Sequence, residues 1–397
     1  MSTRMMLFLL LFFPVVPFSP VAGETAPKTG PWDIKTLEST VVKPVWGETK
    51  GKVRELTYPG EMLKGKPTRI FAYYARPDKG DGPFPAVVLV HGGGGTAFRD
   101  WALHWADRGY CALAMDLSGN SPGGRLADGG PDQADSVKFQ SFDANTARDM
   151  WTYHAVAAVI RGHNLVRDLP EVDKNRTAIT GISWGGYLTC IIAGLDHRFA
   201  AAVPVYGCGY LHENSVWKEP QFARMAPEQS KQWVDYFDPS RYLAGVRCPI
   251  LFLNGTNDFA YPLDSYKKCY DLVSGTKSLS VQVRLPHGHI WSFKEVDTFI
   301  DSYLKKGTHF PEIGPLERKG ERVECTFKAD AGVKSARLNY AIAKGPWQQR
   351  EWKSIEAKIG NNTIQALLPG EKPLVFYLEL EDKNGIHAST PHQISDQ

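Results

Sequence analysis

A serine flanked by glycines is the first feature of this 397-residue sequence that could perform covalent chemistry. Ser183 stands between Gly181 and Gly185 in the stretch TGISWGGYLT, which gives the pattern G-x-S-x-G. The apolar run RTAITG precedes it and GYLTCIIAGL follows it, so we expect a tight turn between a buried strand and a helix. Glycines on both sides leave room for that turn, which lifts the serine oxygen above the sheet edge. The pattern predicts Ser183 as a nucleophile.

A serine hydroxyl is a weak nucleophile unless a base takes its proton and a carboxylate orients that base. Both partners follow later strand-like runs. Asp258 comes after CPILFLNG, and His287 and His289 come after LSVQVRLP. Because the carboxyl ends of parallel strands lie at one edge of a sheet, we expect these side chains to converge on Ser183.

Two histidines compete for the role of base. We predict His289, because Gly288 before it leaves room for a turn, and we assign His287 to the lining of the substrate pocket. For the acid we predict Asp258. Asp264 is the alternative, although it opens a helix-like run and is more simply a charge at a helix start.

A glycine run at the end of another strand-like segment can supply hydrogen-bond donors to an oxyanion. The stretch VVLVHGGGGTAF carries four glycines, whose amides can approach a substrate closely because no Cβ intervenes. We predict an oxyanion hole made by the backbone N–H of Trp184 and that of Gly93 or Gly94. A phosphate-binding loop is the competing interpretation, but G-x-x-x-x-G-K-[ST] is absent from the sequence.

The order of strand-like and helix-like runs predicts the elements that hold these residues. From about residue 53 the runs alternate, which indicates an α/β protein with a mostly parallel sheet and helices on both faces. After a linker at 308–316, short alternating runs predict a small antiparallel β-sandwich over 317–397. We therefore predict a catalytic domain at 24–307 followed by this second domain.

An aromatic-rich segment at 207–245 interrupts the alternation. A connection of this length is typical of a lid or substrate wall, and we predict Tyr210 and Trp217 as substrate-binding residues within it. The equally weighted alternative is a helical excursion whose aromatic side chains pack inward.

The first residues and the overall composition limit where the protein acts and what it can bind. Residues 1–23 have a basic start, an apolar core and small residues, which predicts a secretory signal peptide and a secreted or periplasmic protein; an uncleaved membrane anchor is the alternative. The net charge is +3 with scattered Lys and Arg, so we expect no nucleic-acid partner. Six sparse cysteines show no metal-ligand spacing, and we predict no metal and no cofactor.

With these residues in place, residues 53–305 resemble the α/β-hydrolase superfamily, and more closely its dienelactone hydrolase, acetyl xylan esterase and prolyl oligopeptidase branch. The blocks that carry the resemblance are VLVHGGGG, RGYCALAMDLSG, ITGISWGGYLT, LFLNGTNDFAYPLDSY and LPHGHIW. The resemblance implies Ser183 as nucleophile, Asp258 as orienter and His289 as base. Dienelactone hydrolases use cysteine where Ser183 stands, and the segment before the first strand is too short for a propeller blade of the peptidases.

These features together predict a secreted serine carboxylesterase whose substrates are acyl esters, with acetyl groups on plant polysaccharide as the suggested class. The alternative is a serine exopeptidase or acylaminoacyl peptidase, for which Glu213 and Glu219 are candidate contacts to a substrate amine. A third hypothesis is a carbohydrate-binding protein in which Trp347 and Trp352 stack on sugars.

Overall fold

The computed structural model describes residues 29–290 and 292–395. The predicted signal peptide, residues 1–23, lies outside the described residues. Within the described part of the chain, no helix has both the length and the apolar character needed to cross a bilayer. All six cysteines are free thiols.

One large sheet forms the centre of the molecule. Its strands, in spatial order, are β1 (Val45–Lys50), β2 (Val53–Pro59), β3 (Arg69–Ala75), β5 (Cys111–Met115), β4 (Phe84–Val90), β8 (Val172–Ile182), β9 (Ala201–Val205), β10 (Ile250–Gly255) and β11 (Lys277–Gln282). The pairings from β1 to β5 are antiparallel, and those from β5 to β11 are parallel. Strands β5, β9 and β10 are buried along their whole length, as their continuous apolar runs predict.

Helices cover the two faces of this sheet. They are α1 (Ile34–Ser39), α2 (Arg99–Asp107), α3 (Asp135–Lys138), α4 (Trp151–Arg167), α5 (Trp184–Leu195), α6 (Leu211–Asn214), α7 (Pro227–Phe237), α8 (Leu263–Leu272) and α9 (Lys294–Leu304). Helix α4 begins at Trp151 because Met150 before it is extended. A two-stranded ribbon of β6 (Asn120–Ser121) and β7 (Gly124–Arg125) lies in the connection after β5.

The remaining strands form two antiparallel sheets, as predicted for the C-terminal part. One contains β12 (Glu312–Ile313), β13 (Glu317–Lys319), β14 (Arg322–Lys328), β17 (Lys358–Ile359) and β18 (Thr363–Leu367); the other contains β15 (Val333–Ile342), β16 (Lys353–Glu356), β19 (Leu374–Asp382), β20 (His387–Ser389) and β21 (Gln393–Ser395). Strand β12 lies within the segment predicted as a linker and already pairs with β14.

The tryptophans proposed as sugar platforms are buried in this C-terminal part. The Arg350 guanidinium lies 3.6 Å from the centre of the Trp347 ring, and the His392 ring packs against the other side of the cluster at 4.9 Å. Trp352 packs 5.5 Å from Tyr377. These contacts place both tryptophans in packing roles and leave no open face for a sugar.

The C-terminal sheets cover the edge of the central sheet. The backbone N–H of Val281, on the edge strand β11, donates to the Ser389 hydroxyl on β20 at 2.9 Å. The N–H of His387 donates to the buried Glu295 carboxylate on α9 at 3.2 Å. An exposed sheet edge is prone to pair with other chains, and this packing removes that edge from solvent.

Candidate active site

Ser183 lies at the turn between β8 and α5, with φ 59° and ψ −118°. A non-glycine residue with this backbone geometry is strained, which is typical of a nucleophile turn. Glycine is required on both sides of Ser183 because backbone atoms of neighbouring elements approach closely there. A methyl group on Gly181 would overlap the carbonyl oxygen of Gly185, and one on Gly185 would overlap the carbonyl oxygen of Val90. The G-x-S-x-G spacing therefore follows from the crowding of β4, β8 and α5.

A buried carboxylate and a histidine form the second part of the site. Oδ1 of Asp258 accepts hydrogen bonds from the N–H groups of Ala260 at 2.9 Å and Tyr261 at 2.8 Å. Oδ2 lies 2.6 Å from Nδ1 of His287. Because an ionised carboxylate can only accept, Nδ1 carries the proton and Nε2 of His287 remains able to accept one.

Packing around the histidine explains why it faces the carboxylate. The His287 ring stacks on Tyr206 at 4.5 Å and packs against Phe259 at 4.7 Å. Tyr206 has a φ of 52° at the end of β9, which directs its ring under the imidazole. The imidazole thus packs against two rings, with its Nδ1 toward Asp258.

The structure corrects the pairing predicted for the two histidines. His287, assigned to the pocket lining, contacts Asp258, whereas His289 packs 5.1 Å from Phe98 beside the glycine run. A methyl group on Gly92 would come 3.3 Å from Nε2 of His289. Burial, and secondarily the nearby His287, lower the pKa of His289. The turn at Gly288 does form, but the ring that faces the acid precedes it.

Asp264, the alternative acid, does not contact either histidine. It lies in the first turn of α8, where its carboxylate accepts from the Ser265 N–H at 2.8 Å and from the Asn214 side chain. This is the helix-start role that its sequence position suggested.

The glycine run after β4 is held in place by hydrogen bonds of His91. Nε2 of His91 accepts from the N–H of Leu117 at 2.9 Å, so its proton is on Nδ1, which lies 2.8 Å from the Gly92 carbonyl oxygen. The Gly95 N–H also donates to that oxygen at 3.1 Å, which closes a tight turn. The loop is therefore a rigid platform next to the serine.

The two glycines predicted for the oxyanion hole differ in their surroundings. The N–H of Gly94 donates to the Gln133 side chain at 3.0 Å. Gly93 lies directly against Trp184, since a methyl group there would come 2.8 Å from Cδ1 of the indole. The N–H of Trp184 is at the first residue of α5, where a helix has no internal acceptor for it. Gly93 and Trp184 are thus adjacent at the serine turn, whereas the N–H of Gly94 is already bonded to Gln133.

These residues share one open cleft of about 600 Å³. Its wall includes Ser183, His287 and His289, and apolar side chains of Trp217 and Phe259 form part of its sides. Phe259 is 57% exposed at the mouth of the cleft. Within the described residues, no cluster of three or more His, Cys, Asp or Glu side chains has the arrangement of a metal site.

The segment 207–245 contributes to the cleft only in part. Trp217 lines the wall and packs 4.6 Å from the Trp184 ring. Tyr210 does not line it: its N–H donates to Asp238, and its ring faces the Lys268 ammonium at 5.3 Å. Other aromatic residues of the segment are buried, among them Phe222, Trp233 and Phe237. Only part of the segment therefore faces the cleft.

Sequence reasoning missed a buried lysine in the cleft wall. The Lys138 ammonium lies 4.1 Å from the centre of the Trp184 ring and 2.9 Å from the Asp135 carboxylate. Burial lowers the pKa of Lys138. No motif surrounds Lys138 or Gln133 in the sequence, so only the folded connection between β5 and α4 brings them to the cleft.

The sheet order and the serine turn between β8 and α5 define an α/β hydrolase. Two solved structures support this fold. The acetyl xylan esterase from Paenibacillus sp. R4 is 22% identical, with a TM-score of 0.55, and the match covers 68% of this chain and 92% of that one. Acetyl xylan esterase 1 from Thermoanaerobacterium sp. JW/SL YS485 is 18% identical, with a TM-score of 0.54, over 71% of this chain and 96% of that one.

The profile of the acetyl xylan esterase (AXE1) family matches residues 39–302, and the chain belongs to that family. Acetyl esterase Axe7A of Xylanibacter ruminicola is 26% identical over 268 residues, which cover 62% of this chain and 58% of that protein. The uncharacterized peptidase YuxL of Bacillus subtilis is 24% identical over 68% of this chain and 38% of that protein. The chain thus spans about half the length of these curated relatives. The family match confirms the predicted resemblance to the acetyl xylan esterase branch.

Proposed function

We propose that this protein is a serine carboxylesterase that removes acetyl groups through Ser183, His287 and Asp258. The observation that carries the proposal is the 2.6 Å contact between Asp258 and His287 in the same cleft as the serine turn. Membership of the acetyl xylan esterase family supports acetyl esters as the substrate class.

The proposed reaction starts at the Ser183 hydroxyl. Nε2 of His287 takes the hydroxyl proton while the oxygen attacks the ester carbonyl. Asp258 keeps the proton on Nδ1 and stabilises the imidazolium that forms. Collapse of the tetrahedral intermediate breaks the bond to the alcohol, which receives the proton from His287. Water, activated by the same imidazole, then releases acetate from the acyl-enzyme.

Backbone donors stabilise the oxyanion in each half of this reaction. We assign this role to the N–H groups of Trp184 and Gly93, and leave Gly94 to its bond with Gln133. The Lys138 ammonium against the Trp184 ring holds the indole, and with it the first turn of α5, in place.

Acetylated plant polysaccharide or oligosaccharide is the proposed natural substrate. The cleft is open, and the exposed Phe259 ring at its mouth offers a face on which a sugar could stack. Axe7A, a relative of this chain, is named as an acetyl esterase. Trp217 contributes a buried side of the pocket, where a small acyl group would lie.

Peptide hydrolysis is less well supported by the contacts of the acidic side chains. The two candidates for binding a substrate amine are engaged elsewhere: Glu213 pairs with Lys268, and Glu219 pairs with Lys218 at 3.7 Å. Asp135, which lines the cleft, pairs with Lys138. The cleft wall as described therefore favours a neutral ester over a charged peptide terminus.

Export is part of the proposal and depends on the sequence of residues 1–23 alone. Their basic start, apolar core and small residues are typical of a cleaved secretory signal. Mass measurement of the protein secreted by a producing cell checks this directly: we expect a chain that begins after Gly23, and a full-length secreted chain would contradict it.

The function is tested with matched ester and amide substrates. We expect hydrolysis of 4-nitrophenyl acetate and release of acetate from acetylated xylan, with the Ser183→Ala variant slower by about 10⁴-fold or more. Aminoacyl 4-nitroanilides should be turned over at least about 100-fold more slowly than the ester. Equal ester rates in wild type and variant would refute the esterase, and a preference for the anilides would favour the peptidase.

A further inference from the structure

We propose that Asn257 is a positioning residue through which the C-terminal sheets hold the carboxylate loop, the loop after β10 that carries Asp258. This inference rests on the proposed function, because it assigns Asp258 and His287 their catalytic roles. Asn257 directly precedes Asp258 and reaches in the opposite direction, away from the cleft and into the C-terminal part of the chain.

The contact is made by both hydrogens of one side-chain amide. Nδ2 of Asn257 donates to the carbonyl oxygen of Gln348 at 3.1 Å and to that of Arg350 at 2.9 Å. These carbonyls lie at the end of a short 3₁₀ helix, Trp347–Gln349, where carbonyl groups have no partner within the helix. The amide of Asn257 therefore satisfies two carbonyl acceptors that the short helix itself leaves without a donor.

The acceptors are themselves held rigidly. Trp347 packs against the Arg350 guanidinium at 3.6 Å and the His392 ring at 4.9 Å. These contacts fix the short helix to the C-terminal sheets, which in turn bind the central sheet through Ser389 and Val281. The carboxylate loop is thus anchored to the C-terminal sheets, whose packing does not depend on the cleft.

The same side chain also connects to the histidine loop. Oδ1 of Asn257 accepts from the Thr256 hydroxyl at 2.8 Å, and that hydroxyl accepts from the N–H of Arg284 at 2.9 Å. Arg284 begins the segment that leads from β11 to His287. One amide therefore links the loop of Asp258, the loop of His287 and the C-terminal sheets. Because Oδ1 accepts and Nδ2 donates in these bonds, they also determine which way round the amide group lies.

The consequence is a role for the C-terminal sheets in catalysis without contact to substrate. The contact between Asp258 and His287 depends on where two separate loops are held, and small displacements of reacting groups can cost about 100-fold in rate. We therefore expect loss of the Asn257 bonds to lower kcat while leaving the walls of the substrate cleft, and so KM, nearly unchanged.

Asn164 provides a matched control. Its Nδ2 also donates to two backbone carbonyls, those of Leu37 and Thr40, both at 2.8 Å, and its Oδ1 accepts from Arg198. Asn164 is buried on α4 and does not line the cleft. Replacing either asparagine removes the same kind of contact, so a stability effect alone would appear in both variants.

The experiment compares steady-state hydrolysis of 4-nitrophenyl acetate by wild type, Ser183→Ala, Asn257→Ala and Asn164→Ala. We expect kcat of Asn257→Ala to fall by about 10- to 100-fold with KM within about threefold of wild type, and kcat of Asn164→Ala to stay within about twofold. If Asn257→Ala does not fold, Asn257→Leu, which preserves the size of the side chain, replaces it in the same comparison.

The outcomes separate this inference from the proposed function. A wild type without activity, or a fully active Ser183→Ala variant, would overturn the esterase and the inference with it. An active, Ser183-dependent wild type together with an unimpaired Asn257 variant would overturn the inference alone. Equal losses of kcat in the Asn257 and Asn164 variants would also overturn it, because the effect would then be one of general stability.

Discussion

Two histidines two residues apart differ at the scale of single side chains. His287 lies 2.6 Å from Asp258 and packs against two aromatic rings, whereas His289 lies beside the glycine run. The Asp258 carboxylate fixes the tautomer of His287 and can stabilise a positive charge on its ring. The chemistry of the site therefore separates them, although they share the same loop.

We predict that His287→Ala lowers kcat for 4-nitrophenyl acetate by about 10⁴-fold, because the base is lost. His289→Ala should lower kcat by no more than about tenfold, since that ring lines the cleft wall and is not the proposed base. Steady-state kinetics of the two variants measure both effects. The reverse ranking would return the role of base to His289, as the sequence alone suggested.

At the scale of elements, three of them meet at the serine turn. Strand β4, strand β8 and helix α5 approach so closely that Gly185 has no space for a methyl group against the Val90 carbonyl. In the proposed mechanism the start of α5 supplies both the nucleophile and an oxyanion donor, so the position of α5 relative to β4 determines the site.

We predict that Gly185→Ala destabilises the fold by about 3 kcal/mol or more, because the added methyl must displace backbone rather than a flexible side chain. Gly130→Ala is the control: a methyl group at Gly130 meets no atom within 4 Å. Its effect should stay within about 0.5 kcal/mol. Urea unfolding followed by circular dichroism measures both, and similar midpoints would contradict the crowding described for the turn.

Much of this element-scale organisation could be predicted from the sequence. The apolar runs identified β4, β8 and β10, and the glycine spacing identified the turn at Ser183, because both signals are local. The choice between His287 and His289 could not be made from neighbouring residues in the sequence. It depends on the ring of Tyr206, which comes from a different strand, and no pattern in the sequence indicates that packing.

At the scale of the whole molecule, the C-terminal sheets are part of one structure with the central sheet. They cover the edge strand β11 and contact the loop of Asp258 through Asn257. The sequence predicted the antiparallel sheets but gave no sign of this contact, because Gln348 and Arg350 contribute only backbone carbonyls, which carry no residue-type signal.

A buried histidine makes the stability of this C-terminal part depend on pH. Burial, followed by the positive charges of Lys267 and Arg350, lowers the pKa of His392 to about 3. In the unfolded chain the ring titrates near its ordinary value of about 6.5. Between these values the unfolded state binds the proton and the folded state does not. The stabilising effect of the neutral ring is therefore complete above about pH 6.5 and is lost as the pH falls toward about 3.

We predict that lowering the pH from 7 to 5 reduces the free energy of unfolding of the wild type by about 2 kcal/mol more than that of His392→Gln. Urea unfolding of both proteins at the two pH values gives the four free energies required. An identical pH dependence in the two proteins would show that the ring is not held neutral by burial.

The central claim is that a hydroxyl, an imidazole and a carboxylate from three separate loops act on one another, and the rate of covalent labelling tests it most directly. A fluorophosphonate reacts only with an activated serine, and peptide mapping identifies the labelled residue. The account predicts a single adduct on Ser183, formed at least about 100-fold more slowly in His287→Ala than in wild type. An adduct on another residue, or equal labelling rates in the two proteins, would contradict it.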